Sequence, residues 1–443
     1  MTPYIHSVAL DQDKCKGCTN CVKRCPTEAI RIRDGHAIIT SELCIDCGEC
    51  IRLCPYNAKK AVSDHFDIIN NYKWKIALPA PAIYGQFDNL DDVDYVVSGL
   101  MKCGFDAVYE VGKAAELVSA YTRQYIRQSN VKKPVISSAC PVVARLISIR
   151  FPYLCDNLLP LLPPIEIAAK LAKKEAQKQH PHLRPEEIGA FFISPCPAKV
   201  SYVKNPIGVA KSAVDAVLPM NDIYFRLIST MKKNEQPDIP SETGIIGISW
   251  AGSGGEAAAL FNDKYLAADG IENIIKVLDE IENNEKFAEL EFIELNACHG
   301  GCVGGALAVE NPYIARARLQ NLRRYLPVSR NHVRLPADSE QAIPDVFFWS
   351  NLIEYTPVSQ LDDNVEAAME KMANIQAIYE KFPHLDCGSC GAPTCRAFAE
   401  DIIKGDADIT GCIFILRELF EKSHQKTESK QNDDSHPSRE AES

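Results

Sequence analysis

Sixteen of the eighteen cysteines in this 443-residue chain fall into short motifs whose spacing suits iron better than disulfides. Cys15-Lys-Gly-Cys18-Thr-Asn-Cys21-Val-Lys-Arg-Cys25-Pro26 and Cys44-Ile-Asp-Cys47-Gly-Glu-Cys50-Ile-Arg-Leu-Cys54-Pro55 are two copies of one pattern, C-x2-C-x2-C-x3-C-P. In such a run three thiolates grip one iron–sulfur cubane and the fourth ligates the other cluster. Cys15, Cys18, Cys21 and Cys54 are therefore assigned to one 4Fe-4S cluster, and Cys44, Cys47, Cys50 and Cys25 to a second. Paired zinc sites would leave the third cysteine and the proline of each run without purpose.

Three further motifs each follow an apolar run. They are Ser137-Ser138-Ala139-Cys140-Pro141, Ser194-Pro195-Cys196-Pro197-Ala198-Lys199 and Glu294-Leu295-Asn296-Ala297-Cys298-His299-Gly300-Gly301-Cys302-Val303-Gly304-Gly305. In parallel α/β sheets the loops beyond the carboxyl ends of the strands converge on the ligand site, so these four cysteines can meet. Near the C-terminus, Cys387-Gly-Ser-Cys390-Gly-Ala-Pro-Thr-Cys395 with Cys412 supplies four more thiolates. They suffice for another 4Fe-4S cluster, and a structural zinc is the other occupant that this spacing tolerates. Cys103 and Cys155 remain, both in apolar surroundings, and are expected to be buried packing residues. His299 either tunes the cubane or faces solvent.

The elements that must position these residues divide by composition. Residues 1–62 are a short, duplicated, ferredoxin-like α+β module. From Tyr72 apolar runs alternate with amphipathic segments: Ile76–Leu78, Val135–Ile136, Phe191–Ile193, Ile245–Ile248 and Phe292–Leu295 are expected strands, and Ala114–Arg127 and Glu166–Lys178 expected helices. This gives an α/β domain with parallel sheets over 73–360. Leu361–Lys381 sets Val365, Met369, Met372, Ile375 and Ile378 on one helical face and opens a small helical cluster-binding module, 361–422. Residues 423–443, almost devoid of apolar side chains, are expected to be a disordered, solvated tail.

The net charge of −11 leaves no basic field for a phosphate backbone or an anionic membrane, so neither nucleic acid nor membrane is an expected partner. The N-terminus lacks a basic stretch followed by an apolar run, and no segment approaches the roughly 18 apolar residues of a membrane helix. A cytoplasmic location is expected.

The three central motifs resemble the signature loops of the iron-only (FeFe) hydrogenases, roughly TSCCP, PCxxK and ExMxCxGGCxxG in the same order. The likeness covers about residues 73–330 and includes Gly104-Phe105-Asp106 and Ser253-Gly254-Gly255. It implies an H-cluster: a cubane held by Cys140, Cys196, Cys298 and Cys302, with Cys302 bridging to a two-iron subcluster that carries CO, CN and a bridging azadithiolate. By that resemblance Lys199 and the main chain around Pro195 and Ala198 donate to cyanide, while Gly300, Gly301, Gly304 and Gly305 let the chain approach the cluster, and Ser253 lies beside the cavity. The C-terminal motif resembles the cluster-binding domain of corrinoid iron–sulfur proteins.

Three departures bear on activity. Where the family's turnover enzymes place a proton-relaying cysteine this chain has Ala139, and the usual methionines are Ser194 and Asn296. This combination resembles the sensory branch of the family. Glu256, just after Ser253-Gly254-Gly255, is the candidate substitute acid, with a helix N-terminal glutamate as the plain alternative. The resemblance implies slow, reversible H2 oxidation or proton reduction in an anaerobic organism. Electrons would pass through three accessory cubanes to a redox or signalling protein, and hydrogenase maturation proteins would load the site. The rival is a non-catalytic cluster scaffold without the two-iron unit. Oligomeric state is open, a homodimer included.

Overall fold

The computed structural model describes residues 6–88, 90–231, 237, 239–283, 287, 289–330, 342–356 and 361–433. In chain order its strands are β1 (Val8–Leu10), β2 (Ile30–Arg33), β3 (His36–Ile39), β4 (Lys59–Ala61), β5 (Trp74–Pro79), β6 (Ala107–Val108), β7 (Val135–Ile136), β8 (Ile188–Ser194), β9 (Ala216–Pro219), β10 (Tyr265–Asp269) and β11 (Phe292–Asn296). The chain forms two compact units. One comprises Met1–Leu10, Cys44–Arg52 and Lys59–Val358, and the other Asp11–Leu43, Leu53–Ala58 and Ser359–Ser443.

The first unit holds two wholly parallel sheets, ordered β6-β5-β8-β9 and β10-β11-β7. Every residue of β8 is buried, which explains its unbroken apolar sequence: helices cover both faces of such a strand, so no alternation is required. Around these strands lies a large core that includes Ile76, Leu78, Phe191, Phe192 and Phe292. A second core, with Ile136, Val143, Leu146 and Ile293, also takes in Ile45 of the second cysteine run. The antiparallel pair β1–β4 belongs to this unit.

In the second unit β2 and β3 form a hairpin, with Arg33 paired to His36. Asp34 and Gly35 turn it with φ of 50° and 77°, the left-handed pair that a two-residue turn requires. Ile32 N–H donates to Gly391 O at 2.8 Å, and Arg31 and Arg33 both reach Asp401, Nε at 2.7 Å and Nη2 at 2.5 Å. Helices Val365–Tyr379 and Cys395–Lys404 pack around Ile375, Phe382 and Phe398.

Four of the five expected strands are present. The fifth, Ile245–Ile248, is the start of a helix, Ile245–Ser249, because a short apolar run has no period to separate a buried strand from a buried helix. It lies against helix Val111–Ile126, where a Cβ on Gly247 would come within 2.4 Å of Gly112 O. The compact units do not follow the expected modules 1–62 and 361–422 one for one. The first cysteine run shares a unit with the C-terminal segment, and the second run's Cys44–Arg52 shares one with the parallel sheets. In place of a tail from residue 423, a helix spans Ile413–Asp433, with Arg417–Glu421 and Glu418–Lys422 paired one turn apart; residues 434–443 lie outside the described residues. Of the helical face Val365, Met369, Met372, Ile375 and Ile378, Ile375 is buried and the first three are exposed. Cys103 and Cys155 are only partly buried, packed at the edges of the two cores.

Candidate metal centres and active site

Each central cysteine sits where a parallel strand gives way to a helix or tight loop. Cys140 follows β7 and caps helix Pro141–Arg150, and Cys196 follows β8 and caps helix Pro197–Lys204. Proline suits the first position of a helix, and the partly positive helix end favours a thiolate beside it. Cys298 and Cys302 follow β11. Since β8 belongs to one sheet and β7 and β11 to the other, the ligands come from both sheets.

All four cysteines line one cavity of about 70 Å³, together with Ala139, Pro195, Lys199, Glu256, Glu294 and Gly301. Burial is the largest influence on the thiols of Cys196, Cys298 and Cys302 and pushes each pKa up, that of Cys298 to about 11. Four such thiols gathered at one point ionise only when a cationic core takes their charge, which is what an iron–sulfur cubane provides. The residues present fit that group. Burial works against the Lys199 ammonium, but the combined field of Cys302, Cys196, Cys140 and Cys298 outweighs it, and the net shift is upward. Its ammonium lies 5.7 Å from the centre of the Phe192 ring. Among the described residues Lys199 makes no ion pair with a carboxylate.

Beside the thiols lies a pair of acids. Ser137 Oγ accepts from Ala139 N at 3.2 Å and donates to Glu256 Oε2 at 2.7 Å, while Glu256 Oε1 is buried without a hydrogen-bond partner. Glu294, 2% exposed on β11, accepts from Gly254 N at 2.9 Å, Ala257 N at 2.8 Å and Asn296 Nδ2 at 2.6 Å. Burial first, then the charge of Glu294, raises the Glu256 carboxyl to about 8. With its amides and Asn296, Glu294 is the member of the pair built to carry charge, and Glu256 the one built to hold a proton. Glu256 does stand in the first turn of the short helix Gly255–Ala258, but the amides of Gly254 and Ala257 at that end donate to Glu294.

Pro195, Ala139, Lys199, Glu256 and Gly301 thus meet at the cavity, but Ala198 and Ser253 do not line it. The Ala198 side chain packs into the core behind Cys196. Ser253 lies on the far side of the third loop, its N–H donating to Gly300 O at 3.0 Å. The glycines of that loop serve chain against chain. A Cβ on Gly301 (φ 91°) would fall 2.5 Å from Ser253 N, and one on Gly305 2.1 Å from Pro195 O. The main chain around Pro195–Ala198 offers few donors: both prolines lack an N–H, and that of Cys196 is taken by Ser194 Oγ at 3.1 Å. His299 lies 3.7 Å from Asp269, its ring over Gly270, and outside the cavity lining.

In the duplicated runs the third cysteine and the residues after it form one helical turn, Asn20–Lys23 in the first copy and Glu49–Arg52 in the second. The fourth sulfur of each accepts a main-chain N–H at 3.2 Å, Cys25 from Ala29 and Cys54 from Ala58. Left-handed residues recur at matching places, Gly17 with Asp46 and Glu28 with Asn57. Cys387, Cys390, Cys395 and Cys412 line a pocket of their own with Phe382 and Phe398.

A cavity of four thiols and one enclosed ammonium, at the carboxyl ends of two parallel sheets, defines an iron–sulfur protein with its metal centre inside an α/β core. The family model "Iron only hydrogenase large subunit, C-terminal domain" matches residues 73–262 and 253–306, and the chain belongs to that family. The family model "4Fe-4S dicluster domain" matches residues 7–60 and the model "Putative Fe-S cluster" residues 382–414, so iron–sulfur domains flank the central one. Iron hydrogenase 1 of Clostridium pasteurianum is 25% identical over 370 residues, 68% of this chain and 64% of that protein. The periplasmic Fe hydrogenase large subunit of Nitratidesulfovibrio vulgaris is 30% identical over 214 residues, 44% of this chain and 51% of that one. The chain thus spans less than two thirds of the length of either relative. A solved FeFe-hydrogenase from Chlamydomonas reinhardtii shares 15% identity at a TM-score of 0.44, covering 56% of this chain and 83% of that one. No helix among the described residues is long and apolar enough to cross a membrane.

Proposed function

We propose that the central cavity holds an H-cluster, the cubane on Cys140, Cys196, Cys298 and Cys302 joined through Cys302 to a two-iron subcluster with CO, CN and a bridging azadithiolate. The activity is slow, reversible interconversion of H2 with protons and electrons, used to sense hydrogen or redox state. The observation that carries this reading is Lys199, an enclosed ammonium among four thiols that makes no ion pair with a carboxylate among the described residues. The thiolates of a cubane already favour that cation, and an anionic ligand beside Cys302 would give its N–H groups an acceptor as well.

The two-iron unit, when bound, supplies the site at which hydrogen is split and a basic amine beside it. The chain does the rest. Lys199 would hold the unit by donating to its cyanide, and Ala80, Ala82, Val111 and Phe192 keep that wall of the cavity apolar. Ala139 offers a methyl group where a thiol would relay protons, so the proton leaves or arrives through Glu256, with Ser137 orienting one carboxylate oxygen and the other open. The cysteine sets of the two flanking domains would hold accessory cubanes, which would supply electron transfer to a redox or signalling protein in the cytoplasm, and hydrogenase maturation proteins would load the two-iron unit.

The test is infrared spectroscopy of protein co-produced with hydrogenase maturation proteins. Bands of iron-bound carbon monoxide and cyanide are expected in the parent and are lost in Lys199→Ala, with all cubanes retained. Absence of those bands from the parent would establish the scaffold instead.

A further inference from the structure

The second cysteine run carries Arg52 between its last two cysteines, and this side chain turns toward the central site. Its Nη1 lies 3.7 Å from Cys298 Sγ and 3.1 Å from Gly304 O. Its Nη2 lies 3.3 Å from Cys47 O and 2.5 Å from Glu49 Oε1, which also accepts from Nε at 3.1 Å. All three nitrogens are therefore engaged, and one planar fork touches both cluster-binding segments. These segments lie in the same compact unit.

A second contact shows how closely they are set. A Cβ on Gly48 would come within 2.8 Å of Ala306 Cβ and 3.3 Å of Pro197 Cγ, the residue after Cys196. Cys47 and Cys140 pack against one apolar core. The junction has no room for a side chain, and Arg52 is the cation that ties it.

We propose that Arg52 is a positioning residue for electron exchange between the cubane of Cys44, Cys47 and Cys50 and the central cubane, donating to the Cys298 sulfur and holding the two binding loops at one spacing. One electron passes from the first cluster, which is oxidised, to the second, which is reduced, or the reverse, and no proton is needed. A donor to a ligating sulfur stabilises the more negative, reduced cluster, so Arg52 raises the central cubane's reduction potential. Lysine cannot replace it, because a point ammonium does not reach Cys298, Gly304, Cys47 and Glu49 together.

This rests on the reading that Cys298 ligates the central cubane, so the experiment separates the two. Full-length protein is reconstituted anaerobically and titrated with reductant under electron paramagnetic resonance. The signal missing from Cys196→Ser belongs to the central cubane, and if the parent has no such signal the ligand assignment itself fails. With the signal present, Arg52→Gln is expected to keep the parent's iron content and move the midpoint to a more negative potential. Arg52→Lys should recover only part of that shift. An unchanged midpoint in Arg52→Gln at full iron content overturns the proposal. So does loss of the cluster in Arg52→Gln while Arg52→Lys keeps both iron and the parent's midpoint, which would make the arginine a structural clamp.

Discussion

Ser137 holds Glu256 by one carboxylate oxygen, at 2.7 Å, and leaves the other buried and unpaired. Such a carboxyl is most stable protonated, and it opens on the cavity that also holds Lys199 and Cys302. Glu256→Gln keeps the shape and removes the proton, so hydrogen turnover should fall by at least ~100-fold while the cluster spectra stay intact. Turnover equal to the parent's would return Glu256 to a packing role.

The same group sets a pH dependence. Its pKa is raised on folding, from an ordinary 4.5 to about 8, under the influence of burial, Glu294, Ser137 and Lys199. The stability of the protonated form is therefore complete below the unfolded value and is lost as pH rises through the folded one. Between about pH 5 and pH 8 the parent's unfolding midpoint should fall relative to that of Glu256→Gln. Parallel curves for the two proteins would count against a buried neutral acid.

Ala139 lines the cavity next to Cys140. Ala139→Cys restores a titratable thiol at that wall, and about tenfold or greater gain in turnover is expected if the thiol can pass its proton onward. No gain, with the infrared bands unchanged, would place the barrier to proton movement elsewhere.

The C-terminal pocket gives a prediction in iron atoms. Four thiolate sets each holding a cubane bring about sixteen irons to the reconstituted protein, before any two-iron unit. Cys390→Ser should remove about four of them and leave the rest. Loss of zinc in place of iron would overturn the cluster assignment there.

Asp401, 5% exposed, takes both Arg31 and Arg33. Removing it leaves two partly buried guanidinium groups unpaired, and Asp401→Ala should cost about 2–3 kcal/mol, less than a fully buried pair because both arginines keep some solvent. A urea titration followed through cluster absorbance would show it; an unchanged midpoint would mean water replaces the carboxylate.

The grouping of the cysteines was legible in the sequence, the central four and the C-terminal four each lining one pocket, and four of the five expected strands were legible because buried parallel strands are unbroken apolar runs. The gaps have specific causes. Ile245–Ser249 is apolar but too short to show a period. Glu294 stands as a lone charge in the buried run Phe292–Asn296, a signal in its own right, yet nothing local says that it meets Gly254 and Ala257. Arg52 looks like an ordinary basic residue on a helical turn until Cys298, far along the chain, is folded against it. The helix Ile413–Asp433 was missed because low apolar content argues against a core, not against a helix.

The central thiols come from loops after β7, β8 and β11, the first and last far apart in the chain, whereas Cys387 to Cys412 lie in one short stretch. A nest made by distant loops closes only after both sheets have formed, since the long loops must be closed first. The C-terminal set needs only its own short stretch in place, whereas the central set needs both sheets, so the loss of either sheet scatters the central thiols while the C-terminal ones can stay together.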